Sequence, residues 1–144
     1  MLHIAICEDE KLYGEKLMEM VYRYLTAHGL SCKIDIFDSD SALLERQAGL
    51  VSYDVVFLDV NKKGIDGLET ARWIRLHSET LFLVFVAESN HYAIEGYKVN
   101  ANWYLLKGAE SFEADFQECM KAAIERTPRK ELFLQKMGQF CKPY

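Results

Sequence analysis

Apolar positions along the 144-residue chain follow two periods, one typical of buried strands and one typical of helices. Short and nearly continuous apolar runs predict five strands, over residues 2–7, 32–37, 54–59, 81–87 and 102–106. Helical spacing predicts five intervening helices, over residues 10–28, 40–49, 66–76, 90–99 and 111–126. Ser39 or Asp40 can cap the second helix, Asp66 can cap the third, and Pro128 marks the end of the last. Strands and helices therefore alternate through the chain.

Five alternating strand–helix units predict one open parallel sheet with helices on both of its faces. The near-continuous apolar character of the strands agrees with burial on both sides. We therefore expect an α/β fold, a flavodoxin-like (βα)5 doubly wound parallel sheet with strand order 2-1-3-4-5. In such folds ligands bind beyond the carboxyl ends of the strands, so we expect the functional residues at those ends.

Composition narrows the class of protein. Half of the residues are apolar, which is enough for one core, and the net charge of −5 disfavours direct contact with nucleic acid. The cysteines form no CxxC pair, so we expect small apolar fillers in a reducing cytoplasm rather than zinc ligands or disulfides. No signal peptide or membrane-length apolar run is present, which predicts a cytoplasmic protein without a membrane partner. The cysteines are Cys7, Cys32, Cys119 and Cys141.

Charged residues follow three of the predicted strands. Glu8 and Asp9 come after the first strand, Asp59 ends the third, and Lys107 follows the fifth. In the predicted strand order the first and third strands are neighbours, which brings the acids together. Two carboxylates about 4 Å apart repel by roughly 4 kcal/mol at an effective dielectric constant near 20. A proton, Lys107 or a hard cation such as Mg²⁺ must offset this repulsion.

Such a cluster can perform phosphoryl transfer. Beside Mg²⁺ and a lysine, the Asp59 carboxylate can attack phosphorus and form an aspartyl phosphate. Each residue also has an ordinary interpretation, since an acid after a strand often caps a helix and a lysine there is usually solvated. The convergence of three acids and one lysine at one edge favours the functional interpretation.

Four motifs carry a resemblance to a known family. They are IAICEDE (4–10), YDVVFLDV (53–60), GIDGLETARWIR (64–75) and YLLKG (104–108). With these motifs, residues 1–126 resemble the receiver domain of two-component response regulators. The segment LVFVAESNHYAIEGYKVNANWYLLKG (83–108) is especially similar to receivers attached to LytTR-type DNA-binding domains.

The resemblance implies a function and a set of site residues. A histidine kinase would donate its phosphoryl group to Asp59, and Lys107 would contact that group. Mg²⁺ would be bound by Asp9 and Asp59, by Glu8 through water, and by the backbone carbonyl of Asn61. The same resemblance makes the fourth helix, fifth strand and fifth helix the usual face for a homodimer. It implies a phosphoacceptor signalling domain and not an enzyme in the ordinary sense.

The chain departs from the family pattern at several positions. Ala87 stands where the family usually has a threonine or serine that bonds the phosphoryl group, while Tyr104 matches the aromatic that changes rotamer on activation. Lys62 and Lys63 replace a Met-Pro pair, and Gly108 replaces the proline after the lysine. We therefore expect damped coupling, extra positive charge beside Asp59, and a trans Lys107–Gly108 bond or a strained cis one.

Residues 127–144 are expected to be a linker and the start of a truncated LytTR-type DNA-binding domain. Any contact with DNA would then need the missing C-terminal part of that domain, and would serve to control transcription.

Two other interpretations stay open. A pseudo-receiver would act as a protein-interaction module without phosphorylation, and Ala87, Lys62 and Gly108 favour it. An enzyme on the same fold is the other. The acidic loop after the first strand disfavours a flavin site, and Asn61 stands where a haloacid-dehalogenase-type phosphatase needs a second acid.

Overall fold

The computed structural model of the protein describes residues 1–60 and 67–127. Five parallel strands form one sheet in the order β2-β1-β3-β4-β5, which confirms the predicted topology. Pairing of Asp59 with Val86, and of Ala87 with Leu106, aligns the carboxyl ends of three strands. The strands are β1 (Leu2–Cys7), β2 (Cys32–Phe37), β3 (Val55–Asp59), β4 (Phe82–Ala87) and β5 (Trp103–Leu106).

In the described part of the chain, five α-helices connect and cover the strands. They are α1 (Lys11–Ala27), α2 (Asp40–Leu44), α3 (Gly67–His77), α4 (Ala93–Lys98) and α5 (Phe112–Arg126). Short 3₁₀ turns occupy Gln47–Ser52 and Asn90–Tyr92. None of the helices in the described ranges is long and apolar enough to cross a membrane.

Two of the predicted helices differ from the observed ones. The helix expected to reach Gly49 ends at Leu44, because Gln47 takes a positive φ of 47° that an α-helix cannot accommodate. The helix expected over residues 90–99 begins as a 3₁₀ turn and becomes α-helical only at Ala93. The expected cap of α3, Asp66, lies outside the described residues.

Two polar residues at the start of α2 have different roles. The Ser39 hydroxyl accepts a hydrogen bond from the Ala42 N–H at 3.1 Å and so caps α2. Asp40 is instead buried, where it accepts hydrogen bonds from the Thr70 hydroxyl and the Cys7 thiol. The Asp40 carboxylate therefore ties α2 to α3 and to β1.

Apolar side chains form one core cluster on each face of the sheet. On one face Phe57 packs with α1 and α5, and on the other face Leu58 packs with α3. Every residue of β3 and β4 is buried, which explains their continuous apolar runs. Within the described residues, Cys7, Cys32 and Cys119 form no disulfide, while Cys141 lies outside them.

Arg75 links the end of α3 to the connection between α4 and β5. Its guanidinium donates to one side-chain oxygen, that of Asn102, at 2.9 Å, and to several main-chain carbonyls. Two of these carbonyls, those of Val99 and Asn100, lie at the C-terminal end of α4, where a positive charge is favourable. The other two belong to Ser78 and Leu81.

Candidate functional site

Three acids meet at the carboxyl ends of β1 and β3. Glu8 directly follows β1, where its N–H donates to the Phe37 carbonyl at 2.9 Å, and Asp59 is the last residue of β3. Carboxylate oxygens of Glu8, Asp9 and Asp59 all lie within 4.8 Å of one another. Glu8 and Asp59 are each only 3% exposed, whereas Asp9 is exposed. The sheet therefore holds two buried carboxylates and one solvated carboxylate at a single point.

Lys107 supplies the opposite charge. Its N–H donates to the Ala87 carbonyl at 2.7 Å, which holds the backbone after β5 beside the end of β4. From there its Nζ reaches Glu8 Oε1 at 2.7 Å and Asp59 Oδ2 at 3.3 Å. The Lys107 side chain is 11% exposed. Both ion pairs are therefore largely shielded from water, where the attraction between opposite charges is strong.

Burial changes the protonation of this cluster. Burial, together with a hydrogen bond to Asp59, raises the pKa of Glu8 from 4.5 to about 7, although Lys107 and the Glu10 N–H act in the opposite direction. For Lys107, burial alone would lower the pKa, but the contacts with Glu8 and Asp59 outweigh it and the pKa is raised. Near neutral pH the cluster can therefore hold a proton on Glu8 while Lys107 stays charged.

The donor set also suits a cation. All three acids offer carboxylate oxygens, which are the ligands that Mg²⁺ prefers, and the exposed position of Asp9 leaves an open side for water ligands. Glu8, Asp9 and Asp59 are the residues that would hold such an ion. The expected backbone ligand, Asn61, and the two lysines Lys62 and Lys63 lie outside the described residues.

The end of β4 lacks the hydroxyl usual in the resembled family. Ala87 is fully buried and has no hydrogen-bonding side chain. The Ser89 hydroxyl, two residues further on, accepts from the His91 N–H at 3.3 Å and caps the following 3₁₀ turn. The Tyr104 hydroxyl donates to the Ser89 carbonyl at 2.7 Å, and its ring lies 6.1 Å from that of Phe85. Tyr104 therefore holds the connection between β4 and α4.

Gly108 adopts a conformation that proline cannot reach. Its φ is +74°, in the left-handed region that favours glycine, whereas the proline ring fixes φ near −65°. A Cβ at this position would meet open space, so only the backbone conformation calls for glycine here. The loss of the family's proline is thus matched by a different backbone path after Lys107. The isomer of the Lys107–Gly108 bond remains a prediction.

A close approach of α3 to β3 fixes the end of the strand that carries Asp59. A Cβ at Gly67 would lie 2.9 Å from the Val60 Cα and 3.1 Å from the Asp59 carbonyl oxygen. Glycine is therefore required for α3 to begin directly against the end of β3. This contact helps to position the backbone that carries the Asp59 side chain.

One residue at the site was not among those predicted from the sequence. Tyr13, in the first turn of α1, places its ring against Lys107, with Nζ 4.4 Å from the ring centroid. In the sequence, its only signal is its position four residues after Asp9, which would put it near the same edge. Burial raises the pKa of the Tyr13 hydroxyl to about 12, so the ring is uncharged at physiological pH.

An acidic cluster with an opposing lysine on this doubly wound sheet defines a signalling receiver domain. The response regulator receiver domain family matches residues 4–125, and the chain belongs to that family. Receiver domains of response regulators are signalling domains and not classical enzymes.

Relatives by sequence agree with the LytTR-type subgroup. The chain is 28% identical over 139 residues to the sensory transduction protein LytT of Oceanobacillus iheyensis, covering 90% of this chain and 52% of LytT. It is 34% identical over 102 residues to the transcriptional regulatory protein LytR of Staphylococcus aureus, covering 71% of this chain and 39% of LytR. The chain therefore spans about half the length of these relatives, or less.

Solved structures share the fold. The response regulatory domain of protein mrkE from Klebsiella pneumoniae matches with a TM-score of 0.72 and 24% identity, over 86% of this chain and 96% of that one. The response regulator TrrA from Thermotoga maritima, solved in complex with Mg²⁺ and beryllofluoride, matches with a TM-score of 0.68 and 25% identity. That match covers 85% of this chain and 99% of TrrA.

Proposed function

We propose that this domain accepts a phosphoryl group from a histidine kinase on Asp59, with Mg²⁺ bound beside it. One observation carries the proposal: Glu8, Asp9 and Asp59 place their oxygens within 4.8 Å, while Lys107 Nζ lies 3.3 Å from Asp59. A nucleophile, a cation site and a fixed positive charge are thus in one place. The similarity to TrrA, which was solved with Mg²⁺ and beryllofluoride, also supports it.

The chemistry follows from this arrangement. An Asp59 carboxylate oxygen attacks phosphorus, a P–O bond forms, and the P–N bond to the kinase histidine breaks, leaving the electron pair on nitrogen. Lys107 donates to an oxygen of the transferred group and neutralises charge that develops there. Bound Mg²⁺ would supply the remaining positive charge, held by Asp9 and Asp59 directly, by Glu8 through water, and by the Asn61 carbonyl.

The output is proposed to be control of transcription. Relatives named as transcriptional and sensory regulators extend well beyond the matched part, so we assign DNA binding to a LytTR-type domain outside residues 1–127. We place the protein in the cytoplasm with its kinase. For self-association we propose the face of α4, β5 and α5, where Ile94 and Tyr97 expose apolar side chains to solvent.

A pseudo-receiver is the second candidate, and a specific observation favours it. Ala87 offers no hydroxyl to a phosphoryl group. The Tyr104 hydroxyl already donates to the Ser89 carbonyl in the unphosphorylated domain. In that case the connection between β4 and α4 would respond to a protein partner and not to phosphorylation.

Titration with Mg²⁺ and beryllofluoride separates the two candidates. Beryllofluoride stands in for the phosphoryl group, and binding by the full chain is measured by calorimetry. A phosphoacceptor binds Mg²⁺, binds beryllofluoride only when Mg²⁺ is present, and loses both on Asp9→Asn. The matched control is Asp38→Asn, an exposed aspartate after β2 on the same sheet edge, which leaves both unchanged. If the wild type bound neither Mg²⁺ nor beryllofluoride, the phosphoacceptor function would be rejected.

Restoring a hydroxyl at residue 87 is expected to strengthen binding of the phosphoryl analogue. In Ala87→Thr, the new hydroxyl can donate to beryllofluoride, and such a hydrogen bond to a charged group contributes about 1.5–3 kcal/mol. We therefore expect the affinity for beryllofluoride, with Mg²⁺ present, to rise by about 10- to 150-fold. Calorimetric titration of the full chain measures this change.

The matched control for this experiment is Ala87→Val. Valine has the same shape as threonine without the hydroxyl, so it reports the cost of overpacking this fully buried site. Equal affinities in the threonine and valine variants would contradict the expectation that the missing hydroxyl damps the response.

A further inference from the structure

We propose that Tyr13 is a positioning residue that holds the Lys107 ammonium over the site when the carboxylates are engaged elsewhere. Its ring centroid lies 4.4 Å from Lys107 Nζ, within the range of a cation–π contact. This inference rests on the proposed function, because it concerns how Lys107 meets a phosphoryl group.

Lys107 needs such a support because its other contacts are not permanent. Its Nζ is held by Glu8 at 2.7 Å and by Asp59 at 3.3 Å. Both carboxylates belong to the proposed Mg²⁺ site, and Asp59 also changes chemically when it receives the phosphoryl group. A lysine side chain has four flexible carbon–carbon bonds, so loss of both partners would free the ammonium. Among the described residues, the Tyr13 ring is a contact of Lys107 that takes part in neither event.

The aromatic ring of Tyr13 is itself braced. It meets Phe112, in the first turn of α5, edge to face at a centroid distance of 6.5 Å and an angle of 78°. Phe112 stacks on Phe116 at 6.4 Å, and Phe116 stacks on Phe57 of β3 at 6.4 Å. An aromatic column therefore runs from the core of the sheet to Lys107. Because its members pack against one another, the Tyr13 ring is held beside Lys107.

The backbone after Lys107 increases this dependence. Gly108 has a positive φ, and a Cβ built there would have no neighbouring atom within 4 Å. Glycine is also the least conformationally restricted residue. The Lys107 backbone is fixed by its N–H bond to the Ala87 carbonyl, but the direction of its long side chain depends on contacts at its tip. The Tyr13 ring provides an uncharged contact at the tip of this side chain.

Nuclear magnetic resonance of the full chain tests the contact directly. Protons next to the Lys107 ammonium lie near the ring face, so the ring current should shift their signals upfield. Tyr13→Phe keeps the ring and should keep the shift, whereas Tyr13→Leu should abolish it. Tyr22→Leu, at an exposed tyrosine of the same helix, serves as the control and should leave it unchanged. Backbone amide spectra of each variant verify the fold.

Binding of beryllofluoride with Mg²⁺ gives the functional readout. Tyr13→Phe should match the wild type, while Tyr13→Leu should lower the affinity by about 5- to 30-fold. The proposal is overturned if the wild type shows no upfield shift, or if the phenylalanine variant behaves like the leucine variant. If the wild type shows the shift but binds no beryllofluoride, the phosphoacceptor function fails while the Tyr13–Lys107 contact stands.

Discussion

Asp59→Asn is expected to abolish incorporation of a phosphoryl group from acetyl phosphate, which we expect the wild type to accept when Mg²⁺ is present. An asparagine amide has no nucleophilic carboxylate oxygen, so the P–O bond cannot form at residue 59. The substitution keeps the size of the side chain at a site that is only 3% exposed, so the fold should be preserved. Intact-protein mass spectrometry detects the added phosphoryl group.

Two further variants distinguish the proposed nucleophile from its neighbours. Asp38→Asn removes an exposed carboxylate from the same edge of the sheet and should be phosphorylated like the wild type. Lys107→Met should retain the nucleophile but react more slowly, because charge developing on the transferred oxygens is no longer neutralised. Undiminished labelling of Asp59→Asn would place the phosphoryl group on another residue and reject the assignment.

Glu8 should make the stability of the metal-free domain fall as the pH rises. Its pKa is raised from 4.5 to about 7 by burial and by its hydrogen bond with Asp59. Between these two values the folded state binds more protons than the unfolded state, so the free energy of unfolding decreases with increasing pH. The contribution is fully present below about pH 4.5 and is lost as the pH passes 7. We expect a decrease of about 2–3 kcal/mol across this window.

Urea unfolding in chelator-containing buffers from pH 4.5 to 8 measures this dependence. Glu8→Gln carries no titrating proton, so it should lose the decrease and be more stable than the wild type near pH 8. Glu15→Gln, at an exposed glutamate of α1, should keep the wild-type profile. Mg²⁺ should stabilise the wild type most at high pH, because a ligand carboxylate must be deprotonated. A flat profile in the wild type would contradict the shifted pKa of Glu8.

The outline of the site could be predicted because it depends on topology. Parallel strands bring their carboxyl ends to one edge, so placing Glu8, Asp59 and Lys107 after three strands was enough to expect them together. The contact between Tyr13 and Lys107 could not be predicted in this way. It depends on the angle at which α1 crosses the sheet and on the packing of its ring against Phe112.

The bounds of the secondary-structure elements were also predictable only in part. The strands matched their apolar runs because burial on both faces leaves a strong pattern in the sequence. The early end of α2 at Leu44 left no comparable signal, because the residues that follow it, Glu45, Arg46 and Gln47, are good helix formers. The backbone instead takes a positive φ at Gln47, which is the first residue of the next 3₁₀ turn.

The sequence by itself determined the α/β class, the strand order, the family and the acidic edge with its lysine, because periodicity and motif spacing are local properties of the chain. Only the tertiary structure decided the protonation of Glu8 and the contact that positions Lys107. Desolvation sets the pKa of Glu8, and helix packing sets the ring of Tyr13 against Lys107. Both depend on distances and burial between segments far apart in the chain, which hydrophobic periodicity does not encode.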